Sequence, residues 1–456
     1  MLKRKFESTI ESFLTGEEDR ILLVNGARQI GKSYLIRYIG SKLFKNFIEI
    51  NLKEDKEDKR IFENVKSTKD LYIQLSSFTS QPLGDIQDTL IFLDEIQCYP
   101  HLLTLLKFLR QEGRYRYIAS GSELGIALYQ TPSVPIGSVS VQEMYPLDFE
   151  EFLWASNVGD IWIDEIRKHF NEKKSLPENM HNVMMGHFQY YLLVGGMPDA
   201  VNAFIEDRNI INVRRIQKEV HDLYKIDASQ YDEEHRLAIR KIYDLIPSNL
   251  ENKKKRIYYS RIENKKGKTF SDYAEEFEYL TNSGIALEVS AISNPRFPLI
   301  ESDQKRLVKL YLNDVGLLTD ILYNLNVNPV LRDIRSINLG TVYESVVAQE
   351  LTAHGFKLHY YDNKKKGEID FLLDDYETLT VLPLEVKSGK DYTQHSALNR
   401  FINDPEYNIK AAYVLSNERN IFQKNGVTYI PVYFVMFFNN STLNAAPIIL
   451  PEIPLP

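Results

Sequence analysis

The stretch that decides the fold is Gly26-Ala27-Arg28-Gln29-Ile30-Gly31-Lys32-Ser33. It matches the pattern G-x-x-x-x-G-K-[ST] at every position, follows the apolar segment Ile21–Val24 and opens the helical segment Lys32–Leu43. A strand, a glycine-rich turn and a helix in this order are typical of a phosphate-binding loop. The glycines let backbone N–H groups face the phosphates, while the lysine supplies a positive charge. We predict that all eight residues bind a nucleotide, with Lys32 also acting in catalysis and Ser33 as an Mg²⁺ ligand.

An acidic motif further along the chain fits the same site. Thr89–Glu95 is an apolar strand that ends in two carboxylates. We predict that Asp94 holds Mg²⁺ and that Glu95 orients and deprotonates the attacking water. On its own, an apolar strand followed by Asp-Glu more often ends with its carboxylates in solvent. Because the chain also contains the glycine-rich loop, the nucleotide-site interpretation is favoured instead. After the strand Tyr115–Ala119 comes Ser120, predicted to contact the γ-phosphate, with an ordinary turn as the equal alternative.

Apolar segments alternate with helical patterns through the first third of the chain. These segments are Ile21–Val24, Phe47–Leu52, Leu90–Leu93, Tyr115–Ser120 and Val139–Met144. Continuous apolar strands between amphipathic helices are typical of a parallel sheet covered on both faces. One apolar strand lies between the two motif-bearing strands in the sequence. We therefore expect the two not to be neighbours, which is the additional-strand class of P-loop ATPase.

Composition restricts the class of protein further. The chain has 456 residues, a net charge of −8, 43% hydrophobic and 26% charged residues, and one cysteine. The length predicts about three domains, each able to bury its own core, and the composition excludes a disordered or fibrous chain. A single cysteine excludes a disulfide framework. The basic N-terminus lacks an apolar signal segment, and no apolar run is long enough to cross a bilayer, so we expect a cytoplasmic protein without membrane contact.

These motifs, with further landmarks, occur in the order found in one family. The landmarks are Gly26–Ser33, Leu93–Gln97, Ser120–Ser122, Tyr145–Leu153, Gly195–Pro198, Lys309–Leu318 and Glu385–Gly389. The chain resembles the prokaryotic AAA+-like P-loop ATPases that carry a C-terminal domain of unknown function with a restriction-endonuclease-like fold. The resemblance implies ATP and Mg²⁺ as cofactors. AAA+ relatives often form rings in which an arginine completes the neighbouring site, so a homo-oligomer is compatible with the sequence. Candidates for such an arginine are Arg110, Arg114 and Arg116, although most surface arginines are only solvated.

Acidic residues near the C-terminus fit the nuclease-like part of this resemblance. Asp370 and Glu385 lie on successive predicted strands, and Lys387 shares a strand face with Glu385 because side chains alternate. Their convergence would resemble a PD-(D/E)XK site, with Asp370, Glu385 and helical Glu344 as metal ligands and Lys387 acting on a water. The alternative is that these groups are solvated or form an ion pair with Lys387.

Together these features predict an α/β protein of four units. Residues 1–155 would form an AAA+-like P-loop ATPase domain on a parallel sheet, and 156–235 a helical lid or linker. Residues 236–330 show the helix, helix and strand-pair order of a winged helix. Residues 331–456 would be the α/β restriction-endonuclease-like domain.

The lysine clusters bear on a nucleic-acid partner. Lys253–Arg256, Lys265–Lys268 and Lys364–Lys366 lie in the two units expected to contact DNA, with solvated turns as the even alternative. Our leading hypothesis is an ATPase switch that couples its nucleotide state to a DNA-binding, nuclease-like C-terminal domain. An ATP-gated metal-dependent DNA endonuclease is the second hypothesis. The third is a non-catalytic signalling or interaction ATPase whose nuclease-like fold is inert.

Overall fold

The N-terminal unit is built on a five-stranded parallel sheet. The computed structural model describes residues 2–16, 18–78, 83–125, 127, 137–231, 235–332, 339–389 and 391–440. The strands are β1 (Ile21–Asn25), β2 (Asn46–Asn51), β3 (Thr89–Asp94), β4 (Arg116–Gly121) and β5 (Val139–Glu143). Their spatial order is β2-β3-β4-β1-β5. All five predicted strands are confirmed, and β1 and β3 are separated as expected. The separating strand is β4, however, since β2 lies at the edge of the sheet.

Helices cover both faces of this sheet. They are α1 (Phe6–Thr15), α2 (Lys32–Leu43), α3 (Leu52–Glu57), α4 (Thr68–Phe78) and α5 (Pro100–Glu112). Side chains of β1 alternate between the faces: Leu22 and Val24 join one core, while Ile21 and Leu23 join the other. Burial on both faces explains why the strand is apolar from Ile21 to Val24.

A helical region follows the sheet. Its helices are α6 (Phe149–Ala155), α7 (Asp160–Asn171), α8 (Glu178–Val194), α9 (Pro198–Asp207), α10 (Ile210–Tyr231), α11 (Arg236–Leu250) and α12 (Ala274–Asn282). Asp148 begins α6 with a capping box. The Asp148 side chain accepts from the backbone N–H of Glu151, and the Glu151 carboxylate accepts from the backbone N–H of Asp148. The predicted helices near 148–153 and 236–246 are therefore present.

The second sheet has eight strands. They are β6 (Ala286–Ile292), β7 (Asp303–Leu312), β8 (His359–Asn363), β9 (Gly367–Asp375), β10 (Thr380–Lys387), β11 (Ala412–Ser416), β12 (Phe422–Lys424) and β13 (Val427–Pro431). The spatial order is β12-β13-β11-β10-β9-β8-β6-β7. Associated helices are α13 (Val315–Tyr323), α14 (Asn328–Leu331), α15 (Gly340–Ala353) and α16 (Ser396–Ile402).

This sheet crosses the predicted boundary between 330 and 331. The hairpin of β6 and β7 follows two helices, in the order expected of a winged helix, but β6 also pairs in parallel with β8. The hairpin is therefore part of the C-terminal sheet rather than a free wing. Residues 441–456 of the predicted last unit lie outside the described residues.

The hydrophobic interior is also shared between the units. One core contains Val24 of β1, Leu192 of α8, Leu310 of β7 and Val347 of α15. The core on this face of the N-terminal sheet is therefore continuous with that of the helical region and the second sheet. No helix in the described part of the chain is long and apolar enough to cross a membrane.

Candidate active site

The glycine-rich loop connects β1 to α2 along a backbone path that glycine makes accessible. Gly26 has a φ of +143° and Gly31 a φ of +90°. A Cβ at Gly26 would lie 2.2 Å from the carbonyl oxygen of Met144, so no larger residue fits. Gly31 is the residue before the first turn of α2, and the loop therefore ends at a helix N-terminus, where free N–H groups favour anions.

Lys32 lies buried inside the curl of this loop. Its Nζ donates to the carbonyl oxygens of Gly26 at 2.8 Å and Ala27 at 2.7 Å. Burial lowers the pKa of Lys32 to about 8, although Glu95 and Asp94 act in the opposite direction. A buried ammonium held by two neutral carbonyls is well suited to a phosphate, because the anion would compensate its charge.

The ends of β3 and β4 bring the other predicted residues to the same place. Asp94, at the end of β3, is buried and accepts hydrogen bonds from the hydroxyls of Ser120 and Ser33. Burial raises the pKa of Asp94, while the two hydroxyls lower it. The structure thus joins Ser33, Asp94 and Ser120, although they lie on three different elements. Ser120 lies within β4 rather than in a turn.

Glu95 follows directly in a left-handed backbone conformation, with φ +55°. This conformation is uncommon for a residue with a side chain and marks a turn of the chain out of the strand. Glu95 is half-buried, and its Oε2 accepts a hydrogen bond from Nε2 of Gln97. Its carboxylate therefore lies beside the loop with a defined partner.

Arg28 has a role that the sequence motif did not predict. Its backbone belongs to the loop, but its Nη1 forms an ion pair with Asp227 on α10 and its Nε donates to Ser122 Oγ at 3.2 Å. The hydroxyl of Tyr224, also on α10, donates to the carbonyl of Arg28 at 3.4 Å. No local signal could have identified Asp227, because it lies about two hundred residues from the loop.

The remaining loop positions line a neighbouring cavity of about 380 Å³. Its lining includes Gln29 and Gly31 of the loop, Tyr34 of α2, Leu2, and Pro198 of α9. Ile30 is buried and its carbonyl accepts from Nη1 of Arg4 at 3.0 Å. Residues from the N-terminal segment and from α9 therefore surround the loop, and the sequence analysis assigned neither to the site.

The three candidate arginines for a neighbouring subunit have partners within the chain. Arg110 forms an ion pair with Asp19, and Arg116 donates to the carbonyl of Glu18. Arg114 stacks over Tyr72, with 4.8 Å between its guanidinium carbon and the ring centre. Each is therefore held locally.

The predicted C-terminal residues lie on a hairpin, as expected. β9 and β10 pair antiparallel, and Asp370 Oδ2 accepts from the backbone N–H of Val386 at 2.8 Å. The ammonium of Lys387 donates to Glu385 at 2.6 Å. Burial, together with neighbouring Asp370, raises the pKa of Glu385 to about 8. Lys387 therefore contacts Glu385, which both the metal-site prediction and the ion-pair alternative allow.

Lysines from outside the predicted triad form ion pairs in the same region. Glu344, on α15, is buried and forms an ion pair with Lys255. The fully buried ammonium of Lys309 pairs with Glu368 at 2.5 Å. Within the described residues, no group of three or more His, Cys, Asp or Glu side chains is placed to hold a metal ion. The ligand set of Asp370, Glu385 and Glu344 therefore stays a prediction, with the Lys255 ammonium beside Glu344 and the Lys387 ammonium beside Glu385.

Some basic residues of the predicted lysine clusters also form ion pairs within the chain. Arg256 pairs with Asp362, and Lys366 pairs with Asp404. Other members are exposed, namely Lys253, Lys254, Lys265, Lys266, Lys364 and Lys365. The basic charge available to a partner is thus smaller than the sequence suggests.

Three segments of the chain match known families. Residues 18–153 match the AAA domain. Residues 185–328 match a domain of unknown function (DUF8612), and residues 339–435 match another (DUF4143). The first match contains the whole loop, Asp94, Glu95 and Ser120, so this part of the chain is an AAA-type P-loop ATPase domain. Neither description of the other two matches names an activity or a nuclease-like fold.

Several solved structures are similar to the chain at low identity. The Walker-type ATPase PABY2304 of Pyrococcus abyssi is 16% identical with a TM-score of 0.41, covering 73% of this chain and 96% of its own. The Orc1 protein of Aeropyrum pernix in complex with DNA is 13% identical with a TM-score of 0.30, covering 73% and 91%. The RuvB Holliday junction branch migration motor of Thermotoga maritima is 15% identical with a TM-score of 0.29, covering 65% and 89%. None of the curated proteins compared with this chain matches it.

Proposed function

We propose that this protein binds ATP with Mg²⁺ at residues 26–33, hydrolyses it, and uses the cycle to change the geometry of its C-terminal half. The observation that carries the proposal is the convergence of Lys32, Ser33, Asp94 and Glu95 at one end of the parallel sheet. This arrangement provides a cation, a hydroxyl and two carboxylates, which are the groups that phosphoryl transfer to water requires.

Each residue has a distinct task in the reaction. Lys32 and the loop N–H groups bind the β- and γ-phosphates and stabilise the charge that develops on the leaving oxygen. Ser33 and Asp94 fit Mg²⁺, which when bound neutralises phosphate charge. Glu95 accepts a proton from the water whose oxygen attacks the γ-phosphorus, and the bond to ADP breaks.

The contacts of the loop explain how hydrolysis would reach the rest of the chain. Arg28 is held by Asp227 on α10, and Ala27 lies against Gly284, where an added Cβ would be 3.0 Å from the backbone nitrogen of Ala27. Gly284 precedes β6, a strand of the eight-stranded sheet. A shift of the loop on phosphate binding would therefore press on the C-terminal half through two contacts.

DNA is the partner that we propose for that half. Arg256 forms an ion pair with Asp362. This contact brings the segment of Lys253 and Lys254 close to the turn that carries Lys364 and Lys365. Clustered exposed lysines bind phosphates by releasing counterions, which predicts weaker binding at higher salt. Loss of that salt dependence when Lys253, Lys254 and Lys364 are changed to Gln would support this surface, and an unchanged dependence would exclude it.

We also propose that the chain can form a homo-oligomer.

The test of the hydrolytic site is Glu95→Gln. Because an amide can keep the hydrogen bond to Gln97, we expect fluorescent ATP to bind with unchanged affinity while phosphate release falls at least about 100-fold. Glu54→Gln, at an exposed carboxylate of the same domain, is the matched control and should retain wild-type turnover. Full turnover by Glu95→Gln would exclude Glu95 as the base.

A metal-dependent endonuclease is the second candidate. Glu385 favours it, because among the described residues its buried Oε2 has no hydrogen-bond partner and its pKa is raised to about 8. The ammonium groups of Lys255 and Lys309 oppose it, because positive charges beside Glu344 and Glu368 disfavour a metal ion there. Cleavage of DNA that requires Mg²⁺ or Mn²⁺ and disappears in Asp370→Ala would establish this activity. Absence of cleavage in the wild type would favour the inert, interaction-only alternative.

A further inference from the structure

A chain of hydrogen bonds leads away from the carboxylate of Glu95. Nε2 of Gln97 donates to Glu95 and also approaches Ser122 Oγ at 3.4 Å. Arg28 Nε donates to the same hydroxyl at 3.2 Å, and the guanidinium then pairs with Asp227. Four side chains thus connect Glu95 to helix α10.

The end of β4 leaves room for this series of hydrogen bonds. A Cβ at Gly121 would lie 2.2 Å from Oε1 of Gln97, so the absence of a side chain at the end of β4 makes room for the Gln97 amide. Ser122, next along the chain, is only 3% exposed and offers the hydroxyl that both donors reach. The three residues of Ser120–Ser122 therefore have separate tasks. Ser120 hydrogen bonds with Asp94, Gly121 leaves space for the Gln97 amide, and the Ser122 hydroxyl accepts from both donors.

Helix α10 holds the far end of the chain firmly. Asp227 is 4% exposed, and Tyr224, one turn earlier, donates to the Arg28 carbonyl while accepting from Nδ2 of Asn313 at 3.0 Å. Asn313 follows β7, the edge strand of the eight-stranded sheet. A movement of α10 relative to the loop would therefore change both the guanidinium and the backbone of Arg28.

We propose that Gln97 is a positioning residue for Glu95, and that Asp227, acting through Arg28 and Ser122, sets this position so that α10 controls hydrolysis. The inference rests on the proposed ATPase function, for which Glu95 takes a proton from water. The amide of Gln97 occupies one carboxylate oxygen and fixes its direction, leaving the other oxygen for the water. Asp227 orients the guanidinium that shares the Ser122 hydroxyl with that amide.

The experiment measures kcat, KM and nucleotide affinity for the full chain carrying Gln97→Ala, Asp227→Asn, or both. Removing a hydrogen bond to a charged group predicts a kcat about 10- to 100-fold lower in Gln97→Ala, with affinity for fluorescent ATP within about 2-fold of wild type. Asp227→Asn keeps the shape of the side chain and should lower kcat about 3- to 10-fold, since the ion pair becomes a hydrogen bond between the guanidinium and a neutral amide. The double variant should be no slower than Gln97→Ala, because both substitutions act on the same carboxylate.

Matched controls separate positioning from general damage. Gln111→Ala removes an exposed amide at the end of α5, and Asp222→Asn removes an exposed carboxylate from α10 itself. Both should leave kcat unchanged, and thermal unfolding should show that all variants are folded. Gln97→Ala with wild-type kcat, multiplicative effects in the double variant, or a parallel loss of ATP affinity would each overturn the inference. These outcomes leave hydrolysis by the wild type intact, so they are distinct from failure of the proposed function, which would appear as a wild type without turnover.

Discussion

Asp314 joins two parts of the helical region and gives a pH-dependent prediction. It is fully buried at the start of α13, where its Oδ2 accepts from the backbone N–H of Gly196 at 2.5 Å and its Oδ1 from that of Leu317 at 3.1 Å. Burial raises the pKa of Asp314 from 3.8 to about 6, even though these N–H groups favour the ionised form. The folded chain therefore binds a proton here more tightly than the unfolded chain.

The sign of the effect follows from this difference in proton binding. A raised pKa contributes stability that is complete below the unfolded value and is lost as the pH rises through about 6. Between pH 4.5 and pH 7 the contribution of Asp314 should fall by about 2 kcal/mol. In Asp314→Ala this contribution is absent, and the N–H groups of Gly196 and Leu317 lose their acceptor at every pH.

Urea unfolding of wild type and Asp314→Ala at both pH values measures the effect. We expect the wild type to be more stable than the variant at pH 4.5, with the difference shrinking by about 2 kcal/mol at pH 7. Asp222→Ala, at an exposed carboxylate of α10, is the control and should show no such change. A difference that stays constant, or grows as the pH rises, would refute the reasoning about burial of Asp314.

Three further substitutions test other parts of the structure. Gly26→Ala places a Cβ 2.2 Å from the Met144 carbonyl, and should cost at least about 2 kcal/mol in thermal unfolding and abolish nucleotide binding. Ser120→Ala removes a donor from buried Asp94, and should lower kcat about 10-fold in a phosphate-release assay; an unchanged kcat would show that the hydroxyl is dispensable. Lys255→Ala leaves Glu344 buried without its ion partner, and should lower the free energy of unfolding by about 3 kcal/mol, whereas exposed Lys254→Ala should change it by less than about 0.5 kcal/mol.

The nucleotide loop and the end of β3 could be predicted because their signals are local. Gly26 and Gly31 have backbone conformations that few other residue types adopt, so the two glycines themselves predict the turn. Asp94 ends an apolar strand, so its position at the edge of the sheet is also predictable. The separation of β1 from β3 was expected for an indirect reason. The strand between them in the sequence, β2, is not the strand between them in the sheet, because spatial order depends on crossover connections that periodicity does not record.

Contacts over long sequence separations account for what the sequence did not predict. The pairing of Arg28 with Asp227, and of Lys255 with Glu344, depends on how the helical region packs on the two sheets. β6 joins β8 across the predicted boundary because a strand edge pairs with any strand of compatible register, whatever the motif around it. The pattern of carboxylates and a lysine predicted the hairpin of β9 and β10, but it gave no sign of the Lys255 ammonium beside Glu344.

The most direct measurement is steady-state phosphate release from ATP by the full chain, comparing wild type with Lys32→Ala. Lys42→Ala, an exposed lysine in the last turn of the same helix, is the matched control. Wild type and Lys42→Ala should hydrolyse ATP at equal rates in the presence of Mg²⁺, while Lys32→Ala should neither bind fluorescent ATP nor release phosphate. Equal phosphate release by Lys32→Ala and wild type would contradict an ATP site at the loop between β1 and α2.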